Sequence, residues 1–68
     1  MSIRCTVVIQ QEDDWYIAKC VENSVASQGC TMEEALANLN EAIALYYEDN
    51  DAELPQSPVF VTTMEVAI

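Results

Sequence analysis

One segment of this chain has helical periodicity, and almost everything around it alternates like a strand. From Thr31 onward Ala35, Leu36, Leu39, Ile43 and Tyr46 recur at helical spacing, while Asn38, Glu41 and Glu48 fall away from that stripe. Thr31 suits the N-cap. Glu34 stands three residues later, where its carboxylate can reach back to the Thr31 backbone N–H, and Glu33 and Glu34 both favour the positive end of the helix dipole. The spacing predicts a helix from about Met32 to about Glu48. A single helix has one apolar stripe to bury, and its natural cover is one face of a sheet.

The strands are read on either side of it. Ile3 to Ile9 is β-branched and roughly alternating, and Trp15 to Val21 repeats that character after the charged stretch Glu12-Asp13-Asp14. Glu22-Asn23-Ser24 reads as a second turn. Val25 to Gln28 is a short third strand stopped by Gly29. Beyond the helix, Asp49 to Pro58 is linker-like, and Val59 to Ile68 has the composition of a last strand. The order is β-β-β-α-β in one domain, residues 1–68. The expected architecture is a two-layer α+β unit in which one helix covers a mixed four-stranded sheet of order 3-2-1-4, the last strand returning by a right-handed crossover.

A hairpin folded about Glu12-Asp13-Asp14, with Val8 opposite Ile17 and Cys5 opposite Cys20, sorts the two faces. Ile3, Cys5, Val7 and Ile9 with Tyr16, Ala18 and Cys20 form the more apolar face, expected under the helix. The opposite face carries both cations, Arg4 and Lys19, yet also Val8, Trp15, Ile17 and Val21. A chain of 68 residues has a marginal core, and such chains usually find help from a staple or a partner. Val8, Trp15, Ile17 and Val21 are therefore candidates for an interface between copies, in a homodimer or higher oligomer.

Charge limits the function classes. Twelve acids against two cations give −10. Binding to nucleic acid needs cations to neutralise phosphates, so direct nucleic-acid binding is not expected, whereas a basic protein would be attracted. The chain has no His, which removes the Ser-His and Cys-His nucleophilic systems and most zinc sites. Cys5, Cys20 and Cys30 make neither a disulfide framework nor a zinc knuckle, and acids surround them where an activated thiol needs positive charge. Asp49-x-Asp51-x-Glu53 alternates like a calcium loop but lacks that loop's central Gly and distal Glu. No cofactor and no catalytic constellation is expected. With no signal peptide and no run long enough to span a membrane, a cytoplasmic setting is the expectation.

The run Ser27-Gln28-Gly29-x-Thr31-x-Glu33-Glu34-Ala35-x-x-Asn38-Leu39-x-Glu41-Ala42 resembles the HicB-like antitoxin family. The preceding Asp14, Tyr16, Ile17, Ala18 and Cys20, and the ending Val61 to Ala67, resemble its short single-domain members. One departure is the second turn, where many members carry Pro-Glu-Leu-Pro-Gly and this chain has Val21-Glu22-Asn23-Ser24. The resemblance implies a partial ribonuclease-H-like fold without catalysis, and as partner a small basic HicA-type toxin that cleaves mRNA. The DNA-binding segment of longer members is not expected here, since the sequence stops at Ile68. Partner contacts are expected at two acidic clusters, Glu12, Asp13 and Asp14 beside Trp15, and Glu48, Asp49, Asp51 and Glu53. The alternatives are an orphan dimer of the same fold without a toxin, and a minimal carboxylate–metal hydrolase on a ribonuclease-H-like frame.

Overall fold

The computed structural model describes residues 3–49 and 57–68. Three strands, β1 (Val7–Glu12), β2 (Trp15–Cys20) and β3 (Ala26–Gly29), precede one helix, α1 (Met32–Asp49). The sheet is wholly antiparallel and ordered β1-β2-β3, with α1 packed on β3 and β2, which gives a two-layer α+β unit. The described residues of the expected last strand, 57–68, belong to no strand, so the sheet has three strands where four were expected.

The first hairpin is tighter than the charge cluster suggests. Glu12 pairs with Trp15, so Asp13 and Asp14 alone make the turn. Asp13 takes a φ of 52°, a left-handed conformation that its short polar side chain tolerates. This moves the register by two residues. Val8 faces Lys19 rather than Ile17, and Cys20 faces Val7 rather than Cys5. Because a strand's side chains alternate with period two, a shift of two leaves every residue on its expected face. Val7, Ile9, Tyr16, Val25 and Ile43 all pack around the core cluster of Ala18, Ala35 and Leu39.

That core is small and close. Among the described residues the fully buried apolar ones are Ala18, Cys20, Ala35 and Leu39, and of these Leu39 alone is bulky. Small side chains let the helix start lie almost on the sheet. At Gly29 an added Cβ would stand 2.6 Å from the Ala35 nitrogen and 2.9 Å from the Glu34 carbonyl carbon. Leu36, expected in the buried stripe, is 41% exposed. One residue on from Ala35 is about 100° around the helix at 3.6 residues per turn, which carries Leu36 off the contact line while Leu39 and Ile43 stay on it.

The helix start is held on both sides. The Glu34 N–H donates to Thr31 Oγ1 at 3.0 Å, the expected cap. The return bond differs from expectation: Glu34 Oε1 accepts from the Cys30 N–H at 3.2 Å, one residue before the cap. Thr31→Ala is expected to cost about 1 kcal/mol through the lost cap. Chemical denaturation showing no change beyond error would remove the cap from this account.

Candidate functional site

Two surfaces gather the residues of interest. The first is the tip of the β1–β2 hairpin, where Glu12, Asp13, Asp14 and Trp15 are all exposed, Trp15 at 46%. The two-residue turn brings three carboxylates and one indole onto one protruding end. The second is the end of α1. Glu48 is exposed there and Asp49 closes the helix, while Asp51 and Glu53 lie outside the described residues. The tip and the second turn, residues 21–25, stand at opposite ends of β2. The Asn23 amide on that turn donates to Tyr47 Oη at 3.2 Å, which ties the last turn of α1 to the end away from the tip. Glu48 and the last turn of α1 therefore do not converge with the hairpin tip. Among the described residues no three acids or cysteines lie together as a metal-holding group.

The open sheet face is as the alternation requires. Val8 and Val21 are 40% and 42% exposed, Lys19 is exposed and Ile17 is half-buried. Together with Trp15 these residues form a mixed patch that α1, packed on the other side, leaves uncovered.

The second turn holds a feature that sequence reasoning missed. The Glu22 carboxylate accepts from the Thr6 N–H at 2.8 Å and from the Thr6 hydroxyl at 2.7 Å, and the Cys20 thiol donates to it at 3.4 Å. It thereby ties the chain entering β1 to the turn leaving β2. Asn23 Oδ1 accepts from the Val25 N–H at 3.0 Å, and Ser24 takes a φ of 63° to close the turn. A turn acid reads as solvated charge in sequence, and nothing local points to Thr6, sixteen residues away.

These donors hold the Glu22 carboxyl below its ordinary range, the Thr6 N–H contributing most and the Thr6 hydroxyl next. A carboxyl depressed in the folded state stabilises the fold fully above its unfolded value, about 4.3, and less as pH falls through the folded value. Glu22→Gln is expected to lower the melting temperature at neutral pH, and the gap from the parent chain should close as pH approaches about 2. A gap that stays constant or widens on acidification would contradict this role.

Cys5 is half-buried and Cys20 buried, while Cys30 is exposed. Burial first, then the neighbouring Cys20 sulfur and the negative Glu22 carboxylate, push the Cys5 thiol up to about 11. A thiol so placed is a poor nucleophile at neutral pH.

The run from Ser27 to Ala42 proves to be a fold-holding element. Gly29 permits the close approach, Thr31 and Glu34 fix the helix start, Asn38 Nδ2 donates to the Gln28 carbonyl at 2.9 Å, and Ala35 and Leu39 fill the core.

The profile of a family of unknown function (DUF7387) matches residues 5–64. Comparison with curated proteins finds no match, and neither does comparison with solved structures.

Proposed function

Because the chain belongs to the DUF7387 family, a family of unknown function, its role has to come from its own chemistry, and we propose that it is an antitoxin-like binding protein. On this reading it has no catalytic activity. It binds a small basic HicA-type toxin in the cytoplasm and covers the surface with which that toxin cleaves mRNA. The three-stranded unit and its helix serve as a partial ribonuclease-H-like frame of the HicB kind. The observation that carries the proposal is the hairpin tip, where Glu12, Asp13 and Asp14 stand exposed beside an indole that is 46% exposed. A carboxylate cluster competes with RNA phosphates for the same cations and steers a basic protein inward. Charge alone gives encounter rather than residence, and Trp15 supplies the large apolar anchor on which affinity rests. Glu48, Asp49, Asp51 and Glu53 add to the negative charge and rank second, because Tyr47 beside them is half-buried and bonded to Asn23 where Trp15 is exposed.

The same reading has the chain act as a homodimer or higher oligomer, with Val8, Ile17 and Val21 of the open face available between copies and Trp15 at the edge of both surfaces.

Co-expression tests the proposal. The partner is expected to be a short basic protein encoded beside this chain, toxic when expressed alone and harmless when expressed with it, and the two should purify together. A neighbour that is not toxic, or that does not bind at low salt, would overturn the antitoxin reading and favour the orphan dimer. A saturable divalent-metal site with nuclease activity would overturn it in favour of the hydrolase.

A further inference from the structure

We propose that residues 59–68 form the fourth strand of the sheet of a second copy of this chain, laid along the free edge of its β1, so that two copies exchange arms. The sheet has two edges, and only one is guarded. At β3 the Asn38 amide of α1 caps the Gln28 carbonyl at 2.9 Å. At β1 nothing equivalent is seen among the described residues. In an antiparallel ladder alternate residues bond to the neighbour strand. The Cys20 N–H donates to the Val25 carbonyl, so Cys20, Ala18 and Tyr16 face β3, and Lys19, Ile17 and Trp15 face β1. Their partners Val8, Gln10 and Glu12 are thereby used. The backbone groups of Val7, Ile9 and Gln11 are left pointing outward. This edge has no Pro and no Lys from Val7 to Glu12, the devices that usually blunt an edge.

The arm is the complement of that edge. It is rich in β-branched residues, belongs to no strand, and shows Phe60 at 89%, Met64 at 84% and Val66 at 65% exposure. Single exposed apolar residues need no explanation, but a contiguous apolar arm does. The charge distribution favours a second copy as the occupant. With a net charge of −10, two copies repel over most of their surface. The stretch 3–11 carries no acid and one cation, Arg4, and the arm carries one acid, Glu65. Copies can meet along these two stretches without acid facing acid, and the stretches are of opposite sign. Size points the same way. Two exchanged arms and the edges that receive them engage about 20 residues of each copy, the scale of a standard interface.

Proline scanning of the arm in the full-length chain tests this. Alternate residues of a strand donate to the ladder, so one of Val61→Pro and Thr62→Pro must remove a ladder bond. Neither residue belongs to the described strands or helix, and the helical circular dichroism should stay unchanged as the control for folding. The parent chain is expected to sediment as a dimer at micromolar concentration, with arm amides whose protection from hydrogen exchange rises with protein concentration. At least one proline variant should weaken the dimer tenfold or more. A parent that stays monomeric at every concentration, arm protection that does not depend on concentration, or association that both prolines leave intact would overturn the proposal.

Discussion

Leu39→Ala is expected to leave a large fraction of the chain unfolded at room temperature. Leu39 is 1% exposed and is the one bulky side chain enclosed between α1 and the sheet, its buried companions being Ala18, Cys20 and Ala35. Truncating a buried leucine costs about 2–5 kcal/mol, from lost transfer energy and from the cavity left behind. A chain of 68 residues, at roughly 0.05–0.15 kcal/mol per residue, has only about 3–10 kcal/mol to lose. The melting temperature should fall by about 10 °C or more. Flanking alanines cannot move in to fill the space. A loss below about 1 kcal/mol would show that the helix–sheet seam is not where the stability resides.

Gly29→Ala should be nearly as damaging, for a steric reason. Its added methyl would meet the Ala35 nitrogen at 2.6 Å and the Glu34 carbonyl carbon and Cβ at 2.9 Å each. Backbone of a helix's first turn cannot swing aside as a side-chain tip can. The helix start must retreat, and that retreat also stretches the Glu34-to-Thr31 cap and the Cys30-to-Glu34 bond. Overpacking of this kind costs about 1–3 kcal/mol, and the upper end is expected here. Because the two changes act on one junction, Gly29→Ala combined with Thr31→Ala should cost less than the sum of the separate losses. Strict additivity in denaturant melts would contradict the shared mechanism, and an effect of Gly29→Ala below about 0.5 kcal/mol would contradict the close approach.

The parts of the structure set by short-range rules were legible in the sequence. The period of two assigned Val7, Ile9, Ala18 and Cys20 to one face, and that assignment survived a register error of two residues because it depends only on parity. The capping residues located the start of α1 within a residue, although the donor bonded by Glu34 was Cys30 rather than Thr31. Parts decided by distant partners were not legible. The Glu22 carboxylate finds Thr6 across the sheet, and Asn38 finds Gln28 across the helix–strand junction, and neither pairing leaves a local trace. Val59 to Ile68 shows the limit most clearly. Its composition says strand, yet residues 57–68 belong to no strand, because β composition alone does not supply a neighbour to pair with. The site divides in the same way. Exposed acids and a tryptophan at the hairpin tip followed from the turn, whereas the position of the last turn of α1 at the opposite end of β2 needed the Asn23–Tyr47 bond. The segment from Ser27 to Ala42 builds the helix–sheet junction, so a partner has to be argued from charge.

The proposal that this chain works by capturing a basic protein is tested most directly by the association rate with the short basic protein expected to be encoded beside it, measured across a salt series. The parent chain should associate fast at low salt and slow steeply as salt rises. The comparison is the double variant Asp13→Asn with Asp14→Lys, which removes charge while giving the left-handed position at residue 13 to an asparagine that tolerates it. Its low-salt association rate should fall by about tenfold, its salt dependence should flatten, and its dissociation rate should change little. No binding at low salt, or a rate that neither salt nor the double variant alters, would contradict the account.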